Sequence, residues 1–137
     1  MCKENHKAMG TGKVLSLSEV VKGVFHLVVD ISEMNVCPQA GQFFMLKAEK
    51  SNVFLTRPIS IYKIDKTEGK LKIHFLILQL GKGTKELCEM EVGKSITLTG
   101  PLGNGFSAPA SNEKVAIIGG GIGVAPVAGF ASTLEEK

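Results

Sequence analysis

The sequence predicts a mainly β protein. Six short strands form a small antiparallel barrel or sandwich with one brief helix, and the first strand and helix of an α/β unit follow. Three observations point there. Short segments with apolar residues at alternate positions recur between polar, glycine-containing turns. One stretch of helical spacing interrupts them late in the run. After Glu113 the pattern changes to an apolar run, Lys114–Gly119, which opens into Gly119-Gly120-Gly121-Ile122-Gly123-Val124-Ala125-Pro126 and a helical stretch.

The strands follow in order. Lys13–Ser18 is the first. Val24–Asp30 is the second, with Phe25, Leu27 and Val29 on one face. Pro38-Gln39-Ala40-Gly41 is a turn into the third, Gln42–Ala48. Arg57–Ile64 is the fourth, and the polar loop Asp65-Lys66-Thr67-Glu68-Gly69 leads to Lys70–Leu80, where Leu71, Ile73, Phe75 and Ile77 share a face. From Phe75 to Leu78 both faces are apolar, so something covers that strand. The helix is expected over Thr84–Met90, with Thr84 as N-cap and Leu87 and Met90 three apart. Ser95–Thr99 closes the set.

The loop Phe106–Glu113, rich in Ser, Ala, Pro and Asn, divides the chain into a β-rich domain over 1–110 and an α/β opening over 111–137. A parallel strand needs a neighbour reached through its crossover helix. The sequence holds no such neighbour after Lys137, so the expectation is a truncated second domain. Its strand Val115–Ile118 carries exposed apolar edges. Residues 112–137 are therefore expected to be disordered, folded back on the barrel, or paired with a second copy in a homodimer.

Composition narrows the function. A hydrophobic fraction of 44% against 21% charged residues is that of a globular domain, with no apolar run near the length of a membrane span. Residues Met1–Lys7 lack the apolar segment of a signal peptide, so the expected location is cytoplasmic. The net charge of +3 is scattered, which argues against nucleic-acid binding. Cys2, Cys37 and Cys88 are widely spaced and expected to be reduced thiols. His6, His26 and His74 are equally dispersed and predict no metal site.

Four patterns carry chemistry. In Arg57-Pro58-Ile59-Ser60, Pro58 suits a strand start, and Arg57 offers a planar fork for a phosphate. Ser60 lies on the side of Pro58, with a hydroxyl able to reach a ring heteroatom. In Gly81-Lys82-Gly83-Thr84, glycines let a ligand approach the backbone where amides at a helix start favour an anion. Each also reads as ordinary structure: a surface Arg beside a strand-opening Pro, and a flexible turn with a capping Thr. Gly100-Pro101-Leu102-Gly103-Asn104-Gly105-Phe106 specifies a rigid turn and needs no ligand to explain it. The run Gly119–Gly123 misses G-x-G-x-x-G, because Val124 stands at the last position.

Taken in order, the four patterns resemble those of ferredoxin–NADP reductase-like flavoproteins. Within that superfamily, Arg57-Pro58-Ile59-Ser60-Ile61 and Gly100–Phe106 are most similar to the electron-transfer subunits of NAD-dependent dihydroorotate dehydrogenases. The resemblance runs from about Gly12 to the end of the chain. It implies a six-stranded antiparallel Greek-key barrel that binds FAD, followed by the first βα unit of a truncated nucleotide-binding domain. Arg57 would hold the FAD pyrophosphate or ribityl region, Pro58 and Ile59 would pack near the isoalloxazine, and Ser60 would bond its edge. Leu76, Ile77 and Leu78 would line the flavin, and Gly83 and Thr84 would take the pyrophosphate.

The resemblance further implies an oxidoreductase subunit, inactive as this piece alone, that passes electrons between a nicotinamide, FAD and an iron–sulfur centre. Its partner would be a catalytic subunit such as dihydroorotate dehydrogenase, in pyrimidine biosynthesis. NAD(P) and a [2Fe-2S] centre are expected only in the full-length protein, because the remainder of the nucleotide domain and the family's cysteine cluster are absent here. Leu78 also departs from relatives that carry a cation there. Another ferredoxin- or hydrogenase-type NAD(P)H oxidoreductase subunit would share every motif. A cofactor-free β-barrel interaction module is the alternative from another class.

Overall fold

The computed structural model of the chain describes residues 6–135. Six strands form a closed barrel: β1 (Ala8–Val21), β2 (Val24–Asp30), β3 (Phe43–Ala48), β4 (Arg57–Thr67), β5 (Lys70–Leu78) and β6 (Ser95–Leu102). Their order around the barrel is β1-β2-β5-β4-β3-β6, with every neighbouring pair antiparallel. The consecutive meander β3-β4-β5 is flanked by β2 on one side and β6 on the other, which is the Greek-key pattern. The helix α1 (Lys82–Cys88) joins β5 to β6, and α2 (Val124–Glu135) follows the barrel.

Alternation decides which side chains fill the barrel. Leu27 and Val29 of β2, Phe44 and Leu46 of β3, Ile61 of β4, Ile73, Phe75 and Ile77 of β5, and Ile96 and Leu98 of β6 are all fully buried. Phe44 and Phe75 meet edge to face at 6.0 Å at the centre. Core packing requires glycine where β1 closes against β2 and β6. A Cβ on Gly12 would lie 2.4 Å from Val29 Cγ1 and 2.9 Å from Leu98 Cδ1.

Several strands run longer than their sequence patterns, because a ladder continues as long as neighbours supply partners. β1 begins at Ala8, not Lys13, since β6 pairs with its first half. β4 extends to Thr67, which shrinks the expected five-residue loop to a turn of Glu68 and Gly69. Both have positive φ, 56° and 72°, as a two-residue hairpin turn with matching twist demands. β5 stops at Leu78, short of Leu80.

The helix also starts earlier than expected. Gly81 is its N-cap in extended conformation, and Thr84 is its third residue. Thr84 Oγ1 accepts the N–H groups of Leu80 and Gly81 at 2.9 and 3.0 Å. The hydroxyl thus caps backward from inside the first turn.

Of the βα opening, only the helix forms. Val115–Ile118 pairs with no strand among the described residues. A single strand has nowhere to place its ladder bonds. The helix α2 folds back on the barrel against β4. Gly129 makes that close approach possible: a Cβ there would lie 2.5 Å from the Tyr62 carbonyl oxygen. Phe130 and Phe106 meet beside it at 5.0 Å between centroids, their rings tilted by 51°.

Cys88 is a free, buried thiol, which burial pushes up to about 11. Cys37 is disulfide-bonded, against the reduced thiol expected, because separation in sequence says little about separation in a folded barrel. Cys2 lies outside the described residues. Among the described residues, no helix is long and apolar enough to cross a membrane, and no three His, Cys, Asp or Glu side chains gather as metal ligands.

Candidate functional site

The ladder between β4 and β5 opens at one end. β4 and β5 pair from Thr67 opposite Lys70 to Ile61 opposite Phe75, and there the ladder ends. β5 continues to Leu78 along β2, while β4 continues back to Arg57 along β3. The next rung, Ser60 with Leu76, is missing. A register shift between Ile61 and Lys63 inserts Tyr62 as an extra residue just before the division, and such a bulge bends and twists its strand.

Hydrogen-bond parity fixes what faces the gap. Gln79 N–H donates to Gly23 O at 2.8 Å, so Phe75, Ile77 and Gln79 turn their backbone groups toward β2. Leu76 and Leu78 turn theirs toward β4. Ile61 N–H donates to Gln42 O at 3.0 Å, so Arg57, Ile59 and Ile61 bond toward β3. The Ser60 N–H and the Ser60 and Pro58 carbonyls therefore face the gap from the other side. Two stretches of unpaired backbone face each other, an edge of alternating donors and acceptors that a flat heterocycle could complete.

The side chains sort by the same alternation. Ile59 packs against the core and Ile77 lies fully within it. Pro58 and Ser60 point outward on β4, as do Leu76 and Leu78 on β5, both half-buried. Of the three β5 residues, Ile77 turns both side chain and backbone away from the gap, and supports the leucines on either side of it.

Arg57 closes the end of the gap. It sits on the inward register of β4 at the barrel mouth, and its side chain reaches across to α1. A Cβ on Gly83 would lie 2.1 Å from Arg57 Nε and 3.0 Å from Cζ. Only glycine at 83 leaves the guanidinium that position. The first intrahelical bond runs from Lys85 N–H to Gly81 O at 2.9 Å, so the N–H groups of Lys82, Gly83 and Thr84 precede any acceptor within the helix. The guanidinium lies against the helix start where those amides point, a donor set suited to a pyrophosphate. The approach to Arg57 is fastened as well: Glu86 on α1 accepts from Ser51 Oγ and from Asn52 N–H.

The Gly100–Phe106 turn is structural, as its composition predicts. Gly103 has φ +77°, its carbonyl accepts from buried Gln42 Nε2 at 3.0 Å, and Phe106 N–H donates to Ala40 O at 2.9 Å. Pairing also brings together two residues that the sequence leaves apart. His26 Nε2 and His74 Nδ1 are 3.0 Å apart on β2 and β5, with Tyr62 edge-on to His26 at 5.8 Å. A period-2 reading that aligned the outward faces of β2 and β5 could have found this pair; spacing along the chain could not.

The chain belongs to a flavin-binding family: residues 13–106 match the oxidoreductase FAD-binding domain. The chain is 43% identical over 124 residues to the electron transfer subunit of dihydroorotate dehydrogenase B (NAD(+)) from Clostridium acetobutylicum, covering 90% of this chain and 48% of that protein. It is 38% identical over 126 residues to the subunit of the same name from Clostridium perfringens, covering 92% and 48%. The chain thus spans about half the length of these curated relatives. A solved structure of an NADH-dependent reduced ferredoxin–NADP oxidoreductase superposes with a TM-score of 0.76 at 24% identity, covering 91% of this chain and 44% of that one. That likeness is one of fold.

Proposed function

We propose that this chain is the FAD-binding half of an electron-transfer subunit that serves a NAD-dependent dihydroorotate dehydrogenase in the cytoplasm. The observation that carries the reading is the division of the β4–β5 ladder at Ile61 and Phe75, with Arg57 seated on Gly83 at the far end of the gap. The relatives' names supply the partner, a catalytic dihydroorotate dehydrogenase subunit.

The residues present fit the cofactor. Arg57 and the amides of Gly83 and Thr84 hold the pyrophosphate, while Thr84 Oγ1 keeps the turn that aims those amides. Ser60 and the backbone of Leu76 and Leu78 meet the polar edge of the isoalloxazine, and Pro58 with the two leucine side chains keeps water from its faces. Bound flavin supplies the chemistry, exchanging two electrons with a nicotinamide and single electrons with an iron–sulfur centre. The chain contributes position and surroundings, and no side chain at the gap is set up as acid, base or nucleophile. Residues 1–110 form the flavin domain and 111–137 begin the nucleotide domain. NAD(P) and the [2Fe-2S] centre belong to the remainder of the subunit, so this piece alone is expected to be inactive.

The test is the visible spectrum of the purified chain after incubation with FAD and desalting. Retained flavin absorbance in the wild type, lost in Arg57→Ala without a change in melting temperature, is the expected outcome. Retention unchanged by Arg57→Ala would remove the clamp. No retention in this chain or in one extended to the length of its relatives would favour the interaction-module reading.

A further inference from the structure

We propose that His26, His74 and Tyr62 form a proton-sensitive clasp at the point where the β4–β5 ladder divides, and that His26 and His74 act as positioning residues for Ser60 and Leu76. The clasp itself is a matter of side-chain geometry, whereas its consequence for flavin rests on the function proposed above. The three residues surround the last rung. His74 immediately precedes Phe75, Tyr62 immediately follows Ile61, and His26 stands opposite Leu76, the first β5 residue beyond the division. The imidazoles stack with centroids 5.1 Å apart and an interplanar angle of 28°, linked by the 3.0 Å contact between His26 Nε2 and His74 Nδ1. The Tyr62 ring, edge-on to His26, ties β4 to that pair, and its backbone carbonyl lies beneath Gly129 of α2.

This arrangement needs His74 to be neutral. One nitrogen of the linked pair must donate and the other accept. His74 Nε2 is buried with no hydrogen-bond partner. Cationic His74 would carry N–H at both nitrogens, and so present a charged donor at Nε2 with no acceptor, a costly arrangement out of water. The positive neighbours act in the same direction: Lys63 of β4 disfavours charge on both rings and Lys72 of β5 on His74, while Asp65 of β4, paired with Lys72 at 3.7 Å, opposes them at His74. From Val124 to Leu134, α2 contributes no charged side chain. Desolvation first, then Lys63, holds His26 below the ordinary histidine value; desolvation first, then His26, Lys63 and Lys72 against Asp65, does the same for His74. With folded values lowered, the clasp contributes fully above the ordinary value and is lost as the pH falls through the lowered ones.

The experiment measures the FAD dissociation constant of the chain at about pH 7.5 and at a pH below the imidazole midpoints read from the ring proton resonances, together with amide exchange at Ser60, Tyr62 and Leu76. For the wild type, a loss of affinity at the lower pH is expected, with faster exchange after correction for intrinsic rates. The double variant His26→Phe/His74→Phe keeps two stacked rings without titration and should show neither change. Imidazole proton resonances of the wild type check the pair without any variant, and both should titrate below a free histidine. A flat wild-type affinity, a double variant that follows the wild type, or either ring titrating at the ordinary value would overturn the clasp. If the wild type holds no flavin at either pH, the functional reading fails. The exchange data then decide the clasp alone: acceleration at low pH in the wild type only sustains it, and no acceleration overturns it.

Discussion

Two seams of one barrel are finished differently. Along β1, every residue from Ala8 to Lys13 has a partner on β6, and the strands approach so closely that Gly12 has no room for a methyl group. Along β4 and β5, the strands pair from the hairpin turn up to Ile61 and Phe75 and then part, each held by its other neighbour. The first seam uses all its backbone groups for stability. The second leaves several uncommitted, beside a fixed cation. A closed barrel thus tolerates an opening because the pairing lost at one seam is retained on the outer side of both strands.

Changes at the two seams should separate stability from binding. Phe75 sits on the last rung and at the centre of the core, so Phe75→Ala should have the largest effect. It should lose about 3–5 kcal/mol of stability, read as a drop in the urea midpoint. A loss under about 1 kcal/mol would mean that the core at the division is loosely packed. Gly83→Ala should act on binding alone. The added methyl displaces the Arg57 side chain, and the loss of its charge-assisted bonds should weaken FAD by about 1.5–3 kcal/mol, or roughly ten- to a hundredfold. Calorimetric titration measures it, and unchanged affinity would show that Arg57 does not need its seat on Gly83. At the sealed seam, Gly12→Ala should do the reverse. Overpacking against Val29, Leu98 and the Asp30 carbonyl should cost about 1–3 kcal/mol of stability, with flavin affinity per folded molecule unchanged.

The smallest effect belongs to Asp30, where β2 leaves the sealed side. The Ser32 hydroxyl donates to its carboxylate and, despite some desolvation, holds it below the usual carboxylate value, helped by the Ser32 N–H, Lys70 and Lys72. A lowered folded value means that this contribution is complete above the usual value and fades as the pH falls through the lowered one. Asp30→Asn should therefore lower stability near neutrality, where that contribution is complete, and converge with the wild type in acid, which flattens the acid limb of the stability curve. An acid limb identical to the wild type would dismiss the Ser32 interaction as a source of stability.

Much of this was legible in the chain. The alternation of Leu27 and Val29, and of Ile73, Phe75 and Ile77, predicts which faces turn inward, because side chains on a strand alternate whatever the strand pairs with. Arg57 with Gly83 was legible as chemistry, a fork and a glycine at a helix start. Boundaries were less so: β4 runs on to Thr67 because β5 offers partners, and α1 starts at Lys82 because Thr84 caps from inside the first turn. The His26–His74 pair was not legible from spacing, since 48 residues separate the two histidines, and it emerges only when the outward faces of β2 and β5 are aligned in register.

By itself, the sequence determined the set of strands, the glycines that permit close approach, and the residue types, Arg57 and Gly83, that meet at the helix start. These follow from local sterics and from the period of apolar residues. The tertiary structure alone decided that β4 and β5 part after Ile61, that Ile77 turns away from the gap while Leu76 and Leu78 face it, and that Val115–Ile118 goes unpaired. Each of those depends on which neighbour supplies a strand's hydrogen bonds, and that is a property of the closed barrel, not of any one segment.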